Sequence, residues 1–265
     1  MRERVYRTEA VIIRRSDFGE ADRMLTLITP GGKRRVIAKG ARKTTSRLAG
    51  HIELFTHATL LLAVGRTLDI VTQSAIMHSF DTLRADLGRI SAAYYASELI
   101  DRLLEEEDEN RPAFELLVGT LAALDSSRNV DLVLRAYELR LLGFLGYRPQ
   151  LYHCANCQET LAEDTNRFSV AAGGALCPRC APLDRGAITM SLSAFKLLRF
   201  LQAQPLEAIE RLTISPATRT EAEQLLRGYI RRILERDLKS VAFLDEVGRT
   251  APETPAITAH SSHKE

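Results

Sequence analysis

The sequence predicts an α+β protein: a small five-stranded N-terminal barrel, then an α-helical region with a cysteine-rich module inserted in it. Three observations predict it. Short β-branched runs separated by turn residues fill the first 80 positions, and an apolar period near 3.6 takes over after Phe80. Four cysteines then fall in two close pairs between 154 and 180.

The strands come first. Ala10-Val11-Ile12-Ile13 is a short apolar run, and Met24 to Ile28 is a second. Thr29-Pro30-Gly31-Gly32 supplies turn residues before a third strand, Lys33 to Lys39, centred on Val36 and Ile37. Ala58 to Val64 is a fourth, and Gly65-Arg66 is a tight turn into a fifth, Leu68 to Ile76. Five strands without a long helix between them suit a small antiparallel barrel, and the OB-fold is the five-stranded barrel of this size. Beyond Phe80, Ile90, Tyr94, Leu99, Leu103 and Leu104 mark one helix, which runs into the acidic stretch Glu105 to Glu109. A second starts at Pro112, whose missing N–H costs nothing in a first turn. Its Phe114, Leu117, Val118, Leu121 and Leu124 share one face. A third, capped by Asn129 or Asp131, carries Leu132, Val133, Ala136, Leu139 and Leu142, and stops at Gly146 and Pro149. Helices resume at Ser191, and Ser215-Pro216 opens a long one through Leu225, Tyr229, Ile233 and Leu234. The expected organisation is a nucleic-acid-binding barrel over 1–80 and a helical domain over 81–248 that includes the cysteine module at 152–182. A disordered tail rich in Pro, Thr, Ser and His is expected over 249–265.

Composition is that of a globular chain, with 45% apolar and 26% charged residues. No apolar run reaches the length of a membrane span, and Met1-Arg2-Glu3-Arg4 leads into no secretory signal core, so a cytoplasmic, non-membrane location is expected. The net charge of +2 conceals an asymmetry. Residues 1–80 hold 14 Lys and Arg against 7 Asp and Glu, whereas residues 81–265 hold 22 against 27. A basic module on a mildly acidic remainder points to a polyanion partner.

The four cysteines are Cys154, Cys157, Cys177 and Cys180, a C-x2-C pair, 19 intervening residues and a second C-x2-C pair. Two residues between ligands let a tight turn aim both sulfurs at one ion, and two such turns complete a tetrahedral shell. The intervening chain can form a hairpin, with Arg167 to Val170 extended, Gly173-Gly174 turning and Ala175-Leu176 returning. In a reducing compartment this is a metal site rather than two disulfides. One structural zinc ion is expected, because four thiolates leave no open position for catalysis; a four-thiolate site also accommodates iron. No H-x-E element accompanies the cysteines, which separates them from the nucleobase deaminases, and His153 beside Cys154 reads as a solvated neighbour.

The basic charge is concentrated between Gly31 and Arg47: Lys33, Arg34, Arg35, Lys39, Arg42, Lys43 and Arg47, with no acidic residue until Glu53. On a strand, Lys33, Arg35 and Lys39 share one face. Lys39 to Arg47 reads as a mobile loop that mixes cations with hydroxyl donors, suited to gripping successive phosphates. The first 80 residues offer few aromatic residues and the chain has no Trp, so backbone-dominated binding with steep salt dependence is expected rather than base stacking. Arg227 with Arg231, and Arg232 with Arg236, form a smaller basic group on the late helix. Asp17, Glu20 and Asp22 read as a polar loop. Neither a nucleotide-binding P-loop nor a G-x-S-x-G elbow occurs, and no catalytic constellation stands out.

Ser16-Asp17-Phe18-Gly19-Glu20-Ala21-Asp22-Arg23, Ile37-Ala38-Lys39-Gly40-Ala41-Arg42 and Leu48 to Phe55 together resemble the bacterial recombination mediator family RecO, as does the cysteine quartet. The resemblance covers roughly residues 5–240. It implies an N-terminal OB-fold, a helical domain with a zinc module, and binding of single- and double-stranded DNA with annealing of complementary strands. It also implies that, with RecR, the protein helps load RecA onto DNA coated by single-strand-binding protein, in the bacterial cytoplasm at the nucleoid. Lys39 and Arg42 lie in a matching basic motif, so the resemblance places DNA contact there. Two other readings compete: a zinc-dependent nucleic-acid-modifying enzyme, which needs an open metal position, and a structural adaptor whose basic part binds an acidic protein.

Overall fold

The computed structural model describes residues 5–106 and 108–250. Its first five strands are β1 (Val5–Phe18), β2 (Asp22–Thr29), β3 (Gly32–Ala38), β4 (His57–Ala63) and β5 (Asp69–His78). They close into a barrel in the order β1-β2-β3-β5-β4. All five expected strands are present, and β1 is far longer than its apolar run because it serves two neighbours. Val5 to Val11 pair with β4 and Val11 to Phe18 with β2, with an irregularity between Ile12 and Arg14 that turns the strand from one partner to the other. A short parallel contact, Val36 with Asp69 and Ile37 with Ile70, closes the circle.

Strand alternation divides the apolar side chains between two cores. Ala10, Ile12, Leu25, Leu27, Val36, Leu60 and Leu62 point inward and fill the barrel with Ile52. Val11, Ile13 and Ile28 point outward and join Phe55, Phe80 and Leu83 in the same cluster as the helical core. The barrel is therefore packed on both faces along one side.

The helices are α1 (Asp81–Ala85), α2 (Leu87–Leu103), α3 (Arg111–Ser126), α4 (Val130–Phe144), α5 (Leu192–Ala203), α6 (Pro216–Leu234) and α7 (Lys239–Thr250). Local chemistry sets their starts. Asp86, Asn110, Ser191 and Ser215 each accept a hydrogen bond from the backbone N–H three residues on. Asn129 precedes α4 without capping it; its side-chain amide donates to Ile209 O at 3.0 Å, and its carbonyl accepts from Arg219. The short helix α1 and the helix α7, which packs on α2, were not anticipated. Arg249 and Thr250, expected in the disordered tail, are the last two residues of α7; the rest of that expected stretch, 251–265, lies outside the described residues.

Helix α4 is the buried axis of the helical region and carries charge at its centre. Arg135 Nη2 lies 2.8 Å from Glu138 Oε1, with both side chains nearly inaccessible to solvent. The Tyr95 hydroxyl donates to the same carboxylate, and the Tyr137 hydroxyl donates to Ala96 O at 2.8 Å. Burial pushes the Glu138 carboxyl up, and Arg135 beside it works in the opposite direction. Among the described residues no helix is long and apolar enough to cross a membrane.

Candidate nucleic-acid interface and metal centre

The seven cations between Lys33 and Arg47 occupy three different environments. Lys33 and Arg35 project from the outer face of β3 toward the helical region. Lys33 Nζ donates to Asp101 O at 2.7 Å and lies 3.5 Å from Asp101 Oδ1; burial lowers its pKa. Arg35 Nε lies 2.9 Å from Glu106 Oε1. The acidic stretch after α2 runs alongside β3, where Lys33 and Glu106 form a bridge. Gly32 permits the approach, since a Cβ there would stand 2.5 Å from Asp108 O. Arg34, of opposite alternation, sits at the barrel end with its guanidinium 5.9 Å from the centre of the Tyr6 ring.

The remaining four lie on the segment that follows β3. Its start is pinned: Asp22 Oδ1 accepts from Gly40 N at 2.7 Å, Arg42 N donates to Ala21 O at 2.9 Å, and Ala41 is buried in the barrel core. Gly40 takes φ +64°, which suits a residue without a Cβ. Further turns follow, closed by Lys43 N to Gly40 O and Ser46 N to Lys43 O. The segment expected to be a mobile loop is thus seated on the β1–β2 turn by its first residues. Arg42 reaches back to Gly19 O and to Asp17, at 3.3 and 3.4 Å. Lys39, Lys43 and Arg47 are exposed, and no ion pair involves them among the described residues. Asp17 and Asp22 hold this turn structure together, which explains them without a bound cation.

Sequence reasoning missed the acids that meet Lys33 and Arg35, because Asp101 and Glu106 lie about 70 residues away along the chain. The complementary charge runs, a basic strand and the acidic stretch from Glu105, were the available signal. On the late helix, Arg227 is held by Asp245 and Glu223, and Arg231 by Asp237 at 2.6 Å. Those two are bound up in local ion pairs.

The cysteine module is built on three short strands, β6 (Asn166–Ser169), β7 (Gly174–Leu176) and β8 (Ile188–Met190), in the order β7-β6-β8. The expected hairpin is present, and β8 adds an unanticipated edge strand. Gly174 lies against Gln150, whose carbonyl a Cβ would approach to 2.3 Å, and Ala175 N donates to that carbonyl at 2.8 Å. Each C-x2-C pair closes a turn: Gln158 N donates to Cys154 O at 2.9 Å, and Cys180 N to Cys177 O at 3.0 Å.

All four sulfurs lie within 4.8 Å of one another, so the module can hold a metal ion. Bonds of about 2.3 Å, the zinc–thiolate distance, require tetrahedral edges of about 3.8 Å. Cys157 Sγ and Cys177 Sγ are 3.8 Å apart, which fits such a shell. Burial pushes the Cys154 thiol up, but the backbone amides of Cys157, Cys177 and Asn156 outweigh it and bring it down to about 6. The side-chain amide of Asn156 donates to Cys180 Sγ at 3.3 Å, a supporting contact that the spacing alone did not reveal. His153 is exposed and outside the cluster.

Comparison with known proteins places this architecture. Residues 1–80 match the family model described as Recombination protein O N terminal, and residues 84–242 match Recombination protein O C terminal. The chain is 66% identical over 247 residues to DNA repair protein RecO of Roseiflexus sp. (strain RS-1), covering 93% of this chain and 87% of the relative. It is 39% identical over 245 residues to the RecO of Dehalococcoides mccartyi (strain ATCC BAA-2266 / KCTC 15142 / 195), covering 92% and 96%. The RecO of Desulforamulus reducens is 34% identical over 245 residues, covering 92% and 95%. The barrel, the helical region and the sequence matches along both agree: the chain belongs to the RecO family of DNA repair proteins.

Proposed function

We propose that this protein is a non-catalytic DNA-binding and strand-annealing mediator of recombinational repair. In this reading it acts with RecR to help load RecA onto single-stranded DNA coated by single-strand-binding protein, in the bacterial cytoplasm at the nucleoid. Residues 1–80 act as the DNA-binding domain, and residues 81–248 as the helical domain that supports it and includes the cysteine module. The cysteine module holds one zinc ion in a structural role, since four thiolates leave no coordination position for substrate.

The observation that carries the reading is the cationic segment after β3. Lys39, Lys43 and Arg47 are exposed and, among the described residues, without ion-pair partners, with Arg42 beside them, on a segment fixed to the end of a closed barrel. Cations held in place but not neutralised are suited to the evenly spaced charges of a phosphate backbone, and releasing counterions from that backbone drives binding. Nothing in this arrangement selects a base sequence, so contact there positions DNA rather than reads it. A protein that covers backbones and leaves base edges free is compatible with annealing.

The test is a salt titration of a fluorescent single-stranded oligonucleotide, followed by addition of its complement. The unchanged chain binds tightly at low salt and speeds duplex formation. The triple variant Lys39→Ala, Lys43→Ala, Arg47→Ala loses about two units of the log–log salt slope, three phosphates at about 0.7 each. Lys33→Ala changes the slope little, because its ammonium already serves Asp101. A slope that does not respond to the triple variant overturns the assignment of the segment. Absence of binding by the unchanged chain overturns the reading.

A further inference from the structure

Where the barrel meets the helices, a groove runs between β1, α2 and α7. One part is a cavity of about 690 Å³ with Arg14, Tyr94, Arg102, Lys239 and Phe243 on its walls. That size is within the range of sites that take organic ligands, about 300–1,000 Å³. Arg14, Asp101 and Arg102 also wall an adjoining cleft of about 480 Å³ that reaches the outer face of β3. The two parts together carry six cations and four carboxylates.

The aromatic residues set this groove apart from the segment after β3. Tyr94 is 39% exposed, an unusual state for a ring in the middle of a helix that is otherwise buried on several sides. It stands nearly perpendicular to Phe55, at 5.0 Å between centres, and to Phe243, at 6.2 Å. A flat ring stacked on Tyr94 would therefore lie nearly perpendicular to Phe243, one of the favourable aromatic geometries. The acids are turned to the protein: Glu98 accepts from the backbone N–H groups of Lys239 and Ser240, and Asp101 faces Lys33 and Arg14.

We propose that this groove binds unpaired bases of a single strand, stacked on Tyr94 beside Phe243, with the flanking phosphates toward Lys239 and, in the adjoining cleft, Arg236, neither of which is held in an ion pair among the described residues. The site rests on the nucleic-acid reading above and deepens it: the cationic segment after β3 holds any backbone, and the groove adds affinity that only unpaired bases can supply. Bases in a duplex are stacked on one another and present no free face to Tyr94.

The test uses the full chain and three probes of equal length: a thymidine oligonucleotide, an abasic strand and a duplex. The double variant Tyr94→Leu, Phe243→Leu keeps apolar packing against Phe55 and removes both rings. Its affinity for the thymidine strand falls about tenfold with an unchanged salt slope, while binding of the abasic strand and the duplex stays the same. An unchanged affinity for the thymidine strand, or an equal loss for the abasic strand, overturns the proposal while leaving the cationic segment's role intact. Should the variant fail to fold, the unchanged chain is irradiated with a 5-iododeoxyuridine strand. A crosslink at Tyr94 or Phe243 supports the site, and crosslinks elsewhere alone overturn it. No binding of any probe by the unchanged chain overturns this inference together with the function it rests on.

Discussion

Lys33 and Lys39 share the outward alternation of one strand and its extension, yet meet different surroundings: Lys33 faces Asp101 at 3.5 Å, and Lys39 faces solvent. The difference lies in the tertiary neighbours, and it decides which cations are available to a phosphate. The same contrast between solvated and buried charge governs α4. Arg135 and Glu138 are paired out of water, and Arg135 also has Glu223 at 3.7 Å, whose carboxylate is partly solvated. Removing one member of a buried pair leaves the other desolvated and uncompensated, at a cost of about 3–5 kcal/mol. Glu138→Ala is expected to destabilise the chain by that amount in urea denaturation. The double variant Arg135→Met, Glu138→Leu is expected to recover most of the loss, because neither charge then has to be buried. A loss below about 1 kcal/mol for Glu138→Ala would show that water or Glu223 takes over the carboxylate's role.

The cysteine module is the element whose stability the proposed zinc ion would reinforce. Its strands are three or four residues long, too short to be stable without support. Support comes from Phe168, buried and edge-on to Tyr229 at 5.8 Å, and from the cysteine turns. Metal analysis is expected to find one zinc ion per chain. Chelation, or Cys157→Ser at the exposed ligand, is expected to lower the melting temperature and to speed amide exchange across 150–190 first. A metal-free chain with an unchanged melting temperature would contradict the structural role. This module was legible in the sequence because paired cysteines state their own geometry. The barrel strands were legible through short apolar, β-branched runs bounded by turn residues, and the starts of α5 and α6 through Ser191 and Ser215. The illegible elements are those in which a local signal is weak or redirected. Strand β8 has three residues, with Ile188 exposed. The first half of β1, Val5 to Glu9, alternates polar residues that gain meaning only from pairing with β4. Asn129 carries a capping side chain that tertiary contacts to Ile209 and Arg219 draw away from its own helix.

At the scale of the whole molecule, the charge asymmetry between the first 80 residues and the rest has a structural counterpart. Lys33 with Asp101, Arg14 with Asp101 and Arg35 with Glu106 all cross from the barrel to the helical region. Part of the N-terminal positive charge is therefore spent internally, and the surplus is concentrated on the segment after β3. Apolar contacts cross the same seam, since Val11, Ile13, Ile28 and Phe55 belong to the helical cluster. Arg84 adds polar stitching, donating to Leu54 O at 2.5 Å and to Thr56 Oγ1 at 2.8 Å. A seam that is both apolar and hydrogen-bonded is expected to make the barrel and helices unfold as one cooperative unit, unlike the smaller, more polar contacts between domains that move independently. Ile28 tests this, because it belongs to a barrel strand, is inaccessible to solvent and packs on the helical side. Ile28→Ala is expected to cost about 2–5 kcal/mol, the range for truncating a buried aliphatic side chain. Hydrogen exchange read by mass spectrometry shows where the cost falls. If the unit is cooperative, the slowest amides of β1 to β3 and of α2 and α3 accelerate by the same factor, because they open in the same event. Acceleration confined to the strands would mean that the barrel opens alone. The helical region would then not hold the cationic segment in a fixed position relative to the groove beside α2.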